Sequence, residues 1–160
     1  MSLKSQAESF LSLRRIAIVG VSRSNGTGTA IFKTLRERGH EVFAVNPNAD
    51  SIDGEPCYPT LSAIPVSVDA AVIVTRPEVT LNVARDCVSA GVQHVWMHFN
   101  ALFGAGSSSV SPAAQLYLRE HDVSVIPGGC PLMFGKKADV GHRCMRWLLE
   151  MTGNLPRAEE

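Results

Sequence analysis

Long apolar runs are missing from this chain. No stretch approaches the roughly 20 residues needed to span a bilayer. Residues 1–13 carry one Lys and one Glu without the continuous apolar centre of a secretory leader. The expectation is a cytoplasmic protein with no membrane attachment. Net charge is missing too: fifteen basic residues offset fifteen acidic ones, and the basic ones are scattered. That balance argues against a nucleic-acid surface or an anionic-lipid patch. Cysteine is sparse, and Cys57, Cys87, Cys130 and Cys144 lie far apart. Neither a disulfide frame nor a structural metal is expected from such spacing. Also lacking is any Gly-Lys-Ser/Thr triplet, which argues against ATP hydrolysis at a Walker loop.

What is present is an alternation of strand and helix patterns from end to end, the grammar of an α/β fold. With 160 residues, 45% of them hydrophobic, the chain fits one domain with a two- or three-layer core. A short amphipathic helix is predicted over about Ser5–Leu13, then strands near Ile16–Val19, Glu41–Val45, Ala70–Val74, Val95–Met97 and Val123–Ile126. Helices fall between them, one over about Thr29–Arg38 closed by Gly39 and one opened by Pro77 with a buried stripe of Val79, Val83, Cys87 and Val88. A Gly/Ser-rich stretch from Asn100 to Ser109 leads to a helix begun by Ser111-Pro112, and Asp53-Gly54 reads as a turn before an extended piece at Cys57-Tyr58. The fold expected is a single doubly wound, Rossmann-like, three-layer domain with a five-stranded parallel sheet. Residues 1–13 form a helix packed on it, 14–131 the Rossmann-like body, and 132–160 a helical extension of the same body.

In such a sheet the ligand crevice lies outside the carboxyl ends of the strands. Those ends are Gly20–Arg23, Asn46-Pro47, Thr75-Arg76-Pro77, His98 and Gly128-Gly129-Cys130. The run Arg15–Gly20 feeds a small-residue loop, Val21 to Gly28, which leaves the first N–H groups of the following helix free for an anionic phosphate. The loop does not carry G-x-G-x-x-G, and the second strand ends in Asn46-Pro47 where an NAD site would place an acid. Absence of that acid permits a nucleotide with an extra phosphate, such as NADP or coenzyme A. Arg23 and Arg76 are the charged residues placed immediately at strand exits, and a guanidinium can grip a phosphate through two hydrogen bonds.

Five segments in register then resemble the small stand-alone CoA-binding proteins of Rossmann type: Ile-Val-Gly20-Val-Ser-Arg, Val45-Asn-Pro47, Pro56-Cys-Tyr-Pro59 leading to Leu61-Ser-Ala-Ile-Pro65, Val74-Thr-Arg-Pro77, and Cys130-Pro131. The match runs over about Arg14–Pro131, and the same domain is more distantly similar to the CoA-binding part of the succinyl-CoA synthetase α-subunit. The resemblance implies that Gly20, Val21, Ser22 and Arg23 line the pyrophosphate and ribose, and that Asn46 and Pro47 border the adenosine. It places Thr75, Arg76 and Pro77 against adenine or phosphates, and Gly129, Cys130 and Pro131 near the pantetheine arm. Family members often carry Arg or Asn just before the Cys-Pro, where this chain has Gly128-Gly129. The resemblance stops before the synthetase's ligase domain and phosphorylated histidine, so no thioester-forming chemistry is carried over.

Coenzyme A or an acyl-CoA is therefore the expected ligand, in a module for carriage, sensing or regulation with no catalytic residue assigned. The alternatives are an NADP-dependent oxidoreductase or an acyl-CoA enzyme using Cys130. A structural partner protein with a vestigial pocket is a third. Cys130 reads either as a reactive thiol or as a small residue in a tight turn, and no charged neighbour in sequence favours the thiolate. His94 and His98, four apart on a strand, are separated by about 13 Å and do not form a chelating pair. No metal site is expected. The C-terminal stripe Val140, Cys144, Trp147 and Leu148 reads as a helix docking on the sheet, or as a surface buried against a second copy in a homodimer.

Overall fold

The computed structural model describes residues 1–24, 26–103 and 108–155. Helix α1 (Leu3–Phe10) precedes β1 (Arg15–Val19), α2 (Thr27–Glu37) and β2 (Glu41–Val45). The hairpin β3 (Ser51–Ile52) and β4 (Glu55–Tyr58) follows, then β5 (Ala70–Ile73), α3 (Pro77–Ser89) and β6 (His94–Met97). The chain continues with α4 (Pro112–Glu120), β7 (Ser124–Pro127) and α5 (Val140–Thr152). The expected Gly/Ser-rich connection between β6 and α4 lies partly outside the described residues, as do Asn25 of the first loop and the last residues of the C-terminal extension.

One seven-stranded sheet runs in the order β3-β4-β2-β1-β5-β6-β7. All neighbours are parallel except β3, which pairs antiparallel with β4. The Rossmann-like class matches the sequence reading, but the strand count does not: the piece at Cys57-Tyr58 is a sixth parallel strand, and β3 a seventh. Their hairpin turns on Asp53 (φ 52°) and Gly54 (φ 78°), the two positive φ values of a tight hairpin turn whose twist matches its strands.

Strand residues feed two cores because alternate side chains point to opposite faces. Ile16 and Ile18 of β1 join Val72, Trp96 and Ile126 beneath α1 and α2. Ala17 and Val19 join Ala71, Ile73, Val95 and Met97 beneath α3 and α4. Trp96 is fully buried, packs edge-on against Phe10 with ring centres 5.3 Å apart, and donates its indole N–H to the Gly128 carbonyl at 2.8 Å. An edge-to-face pair adds about 0.5–1.5 kcal/mol beyond its buried area.

Two helices present faces other than those expected. On α3 the buried positions are Thr80, Ala84 and Cys87, while Val79 is exposed. Burying Thr80 is affordable because its hydroxyl donates to the Ser109 carbonyl at 2.8 Å. On α5 the stripe predicted to dock on the sheet faces outward: Val140, Trp147 and Leu148 are exposed, as is Cys144. The docked face is Leu149, with Met145 packed against the core and the Arg146 guanidinium 5.6 Å from the Phe134 ring centre.

Candidate functional site

The chain leaves β1 to build β2 on one side and reaches β5 on the other, so the sheet's switch point lies between β1 and β5. Gly20 stands at that point with φ +105°, and its N–H donates to the Val45 carbonyl at 3.0 Å. A Cβ there would lie 3.0 Å from the Val74 carbonyl carbon and oxygen, so both the backbone angle and the space demand glycine. Gly28 is more constrained: its Cβ would meet the Gly20 carbonyl oxygen at 2.6 Å. The first turn of α2 is thereby pressed onto the end of β1.

The loop between them is closed by its own polar groups. The Thr29 hydroxyl donates to the Ser22 carbonyl at 2.7 Å, and the Ser22 hydroxyl to the Ser24 carbonyl at 2.9 Å. Asn46 donates its amide N–H to the Val21 carbonyl at 2.7 Å and accepts from the Asn48 N–H at 2.8 Å. The exits of β1 and β2 are tied together by this one side chain. Helix α2, by contrast, begins at Gly26 without a side-chain cap, and α3 begins at Arg76 without one, Pro77 following. Such uncapped N-termini leave N–H groups and the positive end of the helix dipole open to an anion.

Two cavities flank the first turn of α2. One, of about 230 Å³, is lined by Gly20, Gly26, Thr27, Gly28, Val74, Thr75, Arg76 and Ser108. No carboxylate is among those lining residues. The second, of about 500 Å³, also touches Gly26 and Thr27 and extends past Thr29 and Lys33 to His98, Asn100, Cys130 and His142. A larger cavity of about 670 Å³ opens at the opposite end of the sheet, near Arg14, His40 and Lys137. It lies among strand beginnings and not at the switch point.

The sequence-derived residues fall into three groups. Gly20, Thr75 and Arg76 line the smaller cavity, with Pro77 half-buried beside them as the first residue of α3. Cys130 lines the cavity of about 500 Å³, while Gly129 and Pro131 are buried. Arg23, Asn46 and Pro47 lie on the β2 side, where Arg23 is exposed and close enough to Cys57 to act on its thiol. Val21 is wholly buried and Ser22 is turned to its own loop, so both can offer a ligand little beyond backbone. The two arginines thus stand on opposite sides of the β1 exit.

The Cys130 thiol is pushed up to about 11, first by burial, against weaker opposing effects from nearby backbone N–H groups and Arg38. At neutral pH it is a thiol and not a thiolate. Gly128 (φ +130°) and Gly129 (φ +73°) form the turn before it.

Of the residues lining the Cys130 cavity, His98 is marked in the sequence only as a strand exit and His142 is not marked at all. His98 is buried just past β6, its N–H donating to the Ile73 carbonyl at 2.9 Å. His142 sits in the first turn of α5, where Asp139 accepts from its backbone N–H at 3.0 Å and holds its Nδ1 at 2.6 Å. These hydrogen bonds hold the Asp139 carboxyl below the usual carboxylate range. The Asp139–His142 spacing signals a helix cap, but nothing local announces that the helix returns to the end of β7.

A mostly parallel, doubly wound sheet with its glycine loop and two open helix N-termini over the switch point defines a Rossmann-like α/β protein. Within that class the chain belongs to the CoA-binding domain family, whose model matches residues 14–136. The ADP-forming acetate–CoA ligase I of Archaeoglobus fulgidus is 38% identical over 73 residues, covering 45% of this chain and 11% of the ligase. The chain spans 11–19% of the length of the ADP-forming acetate–CoA ligases it matches. A conserved hypothetical protein of Pyrococcus furiosus has a solved structure with a TM-score of 0.62 and 34% identity, covering 73% of this chain and 94% of that one. A hypothetical protein of Pyrococcus horikoshii superposes with a TM-score of 0.72 at 22% identity, over 80% of this chain and 86% of that one. No helix among the described residues is long and apolar enough to cross a membrane.

Proposed function

We propose that the chain binds coenzyme A or an acyl-CoA across its strand exits as a non-catalytic module for carriage, sensing or regulation. The observation that carries this reading is the smaller cavity, where Gly20 and Gly28 give close backbone approach, two uncapped helices point inward, and Arg76 is the charged lining group. That is the chemistry of a phosphate seat. Asn46-Pro47, Thr75, Pro77 and Arg23 would border the nucleotide, and the Cys130 cavity would take the pantetheine arm. Membership in the family and the relatives' CoA ligase names support CoA over NADP.

A thermal-shift panel with CoA, dephospho-CoA, NADP and NAD tests the reading. A ligand that binds only the folded state at a hundred times its dissociation constant adds about 2.7 kcal/mol. Stabilisation by CoA and not NADP is expected; stabilisation by NADP alone would replace the proposal with an oxidoreductase reading.

One observation favours a second reading, an acyl-CoA enzyme: the cavity that holds Cys130 also holds His142 on its Asp139 carboxylate. Against it stands the buried, protonated state of Cys130. Incubation with an acyl-CoA followed by mass analysis separates the two, since a stable or turning-over Cys130 thioester would establish the enzyme.

A further inference from the structure

Helix α5 is apolar on two faces, and the protein's own core uses only one of them. Leu149 is buried and Met145 packs against the core. On the outer side Val140 is 75% exposed, Trp147 60%, Met151 66% and Leu148 44%. Cys144 lies exposed in the same row. Scattered single apolar residues on a surface need no explanation, but a contiguous row with one Trp at its centre does.

The outer row has a definite spacing. Val140, Cys144, Trp147 and Met151 are separated by four, three and four residues, the seam of a two-helix coiled coil. The order 4-3-4 reads the same in both directions, so the seam is complementary to itself when two copies lie antiparallel about a two-fold axis. In that arrangement Val140 meets the partner's Met151, and Cys144 meets the partner's Trp147. A two-fold interface requires this kind of self-matching.

The flanking residues agree with the same alignment. Arg143 and Glu150 precede Cys144 and Met151 and lie on one flank of the seam. Antiparallel pairing brings Arg143 of each copy alongside Glu150 of the other, within one helical turn. Arg143 has no ion-pair partner among the described residues, while Glu150 already contacts Arg146 at 3.4 Å. On the other flank Leu148 comes over the partner's Gly141, a large side chain over an exposed residue without one. Parallel pairing would instead set the Arg143–Glu150 flank against the partner's Gly141–Leu148 flank and leave both charges without an opposite partner across the seam.

We infer that α5 is a homodimer interface, in which two copies pair antiparallel along Val140, Cys144, Trp147 and Met151 with reciprocal Arg143–Glu150 contacts. The occupant is a second copy because hydrophobic spacing and flanking charge both match the same two-fold alignment of this helix with itself. A pair of 13-residue helices is a small interface beside the roughly 1,200–2,000 Å² of stable complexes, so the dimer is reversible and concentration-dependent. The cavities at the strand exits do not include the row, and the inference stands whether or not CoA binds.

Sedimentation velocity of the full chain tests it. The mass should rise from the 17.2 kDa of one chain toward twice that as concentration increases, and maleimide labelling of Cys144 should slow in parallel. Trp147→Lys, at an exposed position, should keep the native circular dichroism and remain monomeric. Arg143→Glu and Glu150→Arg should each weaken association by about tenfold, and the double exchange should restore it by recreating the pair with reversed signs. A wild-type chain that stays monomeric to high concentration would overturn the inference and leave the row to a different partner. A dimer insensitive to Trp147→Lys, or a double exchange that fails to restore association, would also refute it.

Discussion

The position that a Cβ on Gly28 would occupy lies 2.6 Å from the carbonyl oxygen of Gly20. Both partners in that contact are backbone or backbone-fixed, so neither can swing aside. Gly28→Ala should force α2 away from the end of β1 and destabilise the protein by about 1–3 kcal/mol, in the range of an overpacked core position. The expected result is a lowered urea midpoint together with loss of any CoA-induced thermal shift. Full stability with full CoA response would show that the close approach is not required.

Arg76 and Arg23 flank the β1 exit on opposite sides, and both are predicted to contact phosphate. Arg76→Ala and Arg23→Ala should each weaken CoA by about tenfold, since a hydrogen bond to a charged group is worth about 1.5–3 kcal/mol. Raising salt should weaken the wild type and have less effect on either variant. Isothermal titration checks this, and unchanged affinity in both variants would remove them from the site.

Burial also orders the thiols. Cys57, Cys87 and Cys130 are buried and Cys144 exposed, and burial raises the thiols of all three buried ones. At dilute concentration and about pH 8, Ellman's reagent should titrate Cys144 fast and the others only on unfolding. Cys130→Ser should leave CoA affinity within about threefold of wild type, since a small polar replacement keeps the turn. A second fast thiol that disappears in Cys130→Ser would contradict the assigned protonation state.

Two exposed carboxylates contribute to the acid limb of stability. Asp53 is held low by the Arg36 hydrogen bond and by Lys33, and Asp139 by the N–H and ring of His142. A group whose folded pKa is depressed stabilises fully above its ordinary value, about 4, and that contribution is lost as pH falls through the folded value. Urea midpoints should therefore decline as pH falls below about 4. The double variant Asp53→Asn, Asp139→Asn should flatten that decline, because Asn keeps both the turn and the helix cap. An unchanged slope would mean that other groups control it.

Arg38 spans the loop that follows β7. Its guanidinium donates to the Leu132 carbonyl at 2.9 Å and the Phe134 carbonyl at 3.2 Å, while Lys137 donates to the Arg38 carbonyl at 2.8 Å. Arg38→Met keeps the stem and removes the donors, leaving part-buried carbonyls unpaired. A loss of about 1–3 kcal/mol is expected by chemical denaturation. A stability change below about 0.5 kcal/mol would show that water replaces the guanidinium.

Much of the frame was legible because it rests on local signals. Gly39 follows α2 at φ +100° and Asp53-Gly54 turns the hairpin, both where small-residue punctuation indicated. Strand β4 shows in the sequence only as an extended piece: it includes Pro56, and its register with β2 is just Ala44–Cys57 and Val45–Tyr58. On α3 a hydrophobic pattern selects valines, whereas the fold buries Thr80 because a distant carbonyl at Ser109 satisfies it. On α5 both faces are apolar, so periodicity could not say which one docks. His98 after β6 and His142 in α5 reach the Cys130 cavity from elements more than forty residues apart, a convergence that no spacing rule records.

Gly26 and Thr27 border both cavities at the strand exits. The first turn of α2 is therefore a ridge between two rooms, and a molecule filling both must bend over it. A short anion fits on one side only and leaves the other wet. Fragments representing the two ends of a long ligand should then bind together without displacing each other, and their joined form should gain from the tether as well as from the contacts.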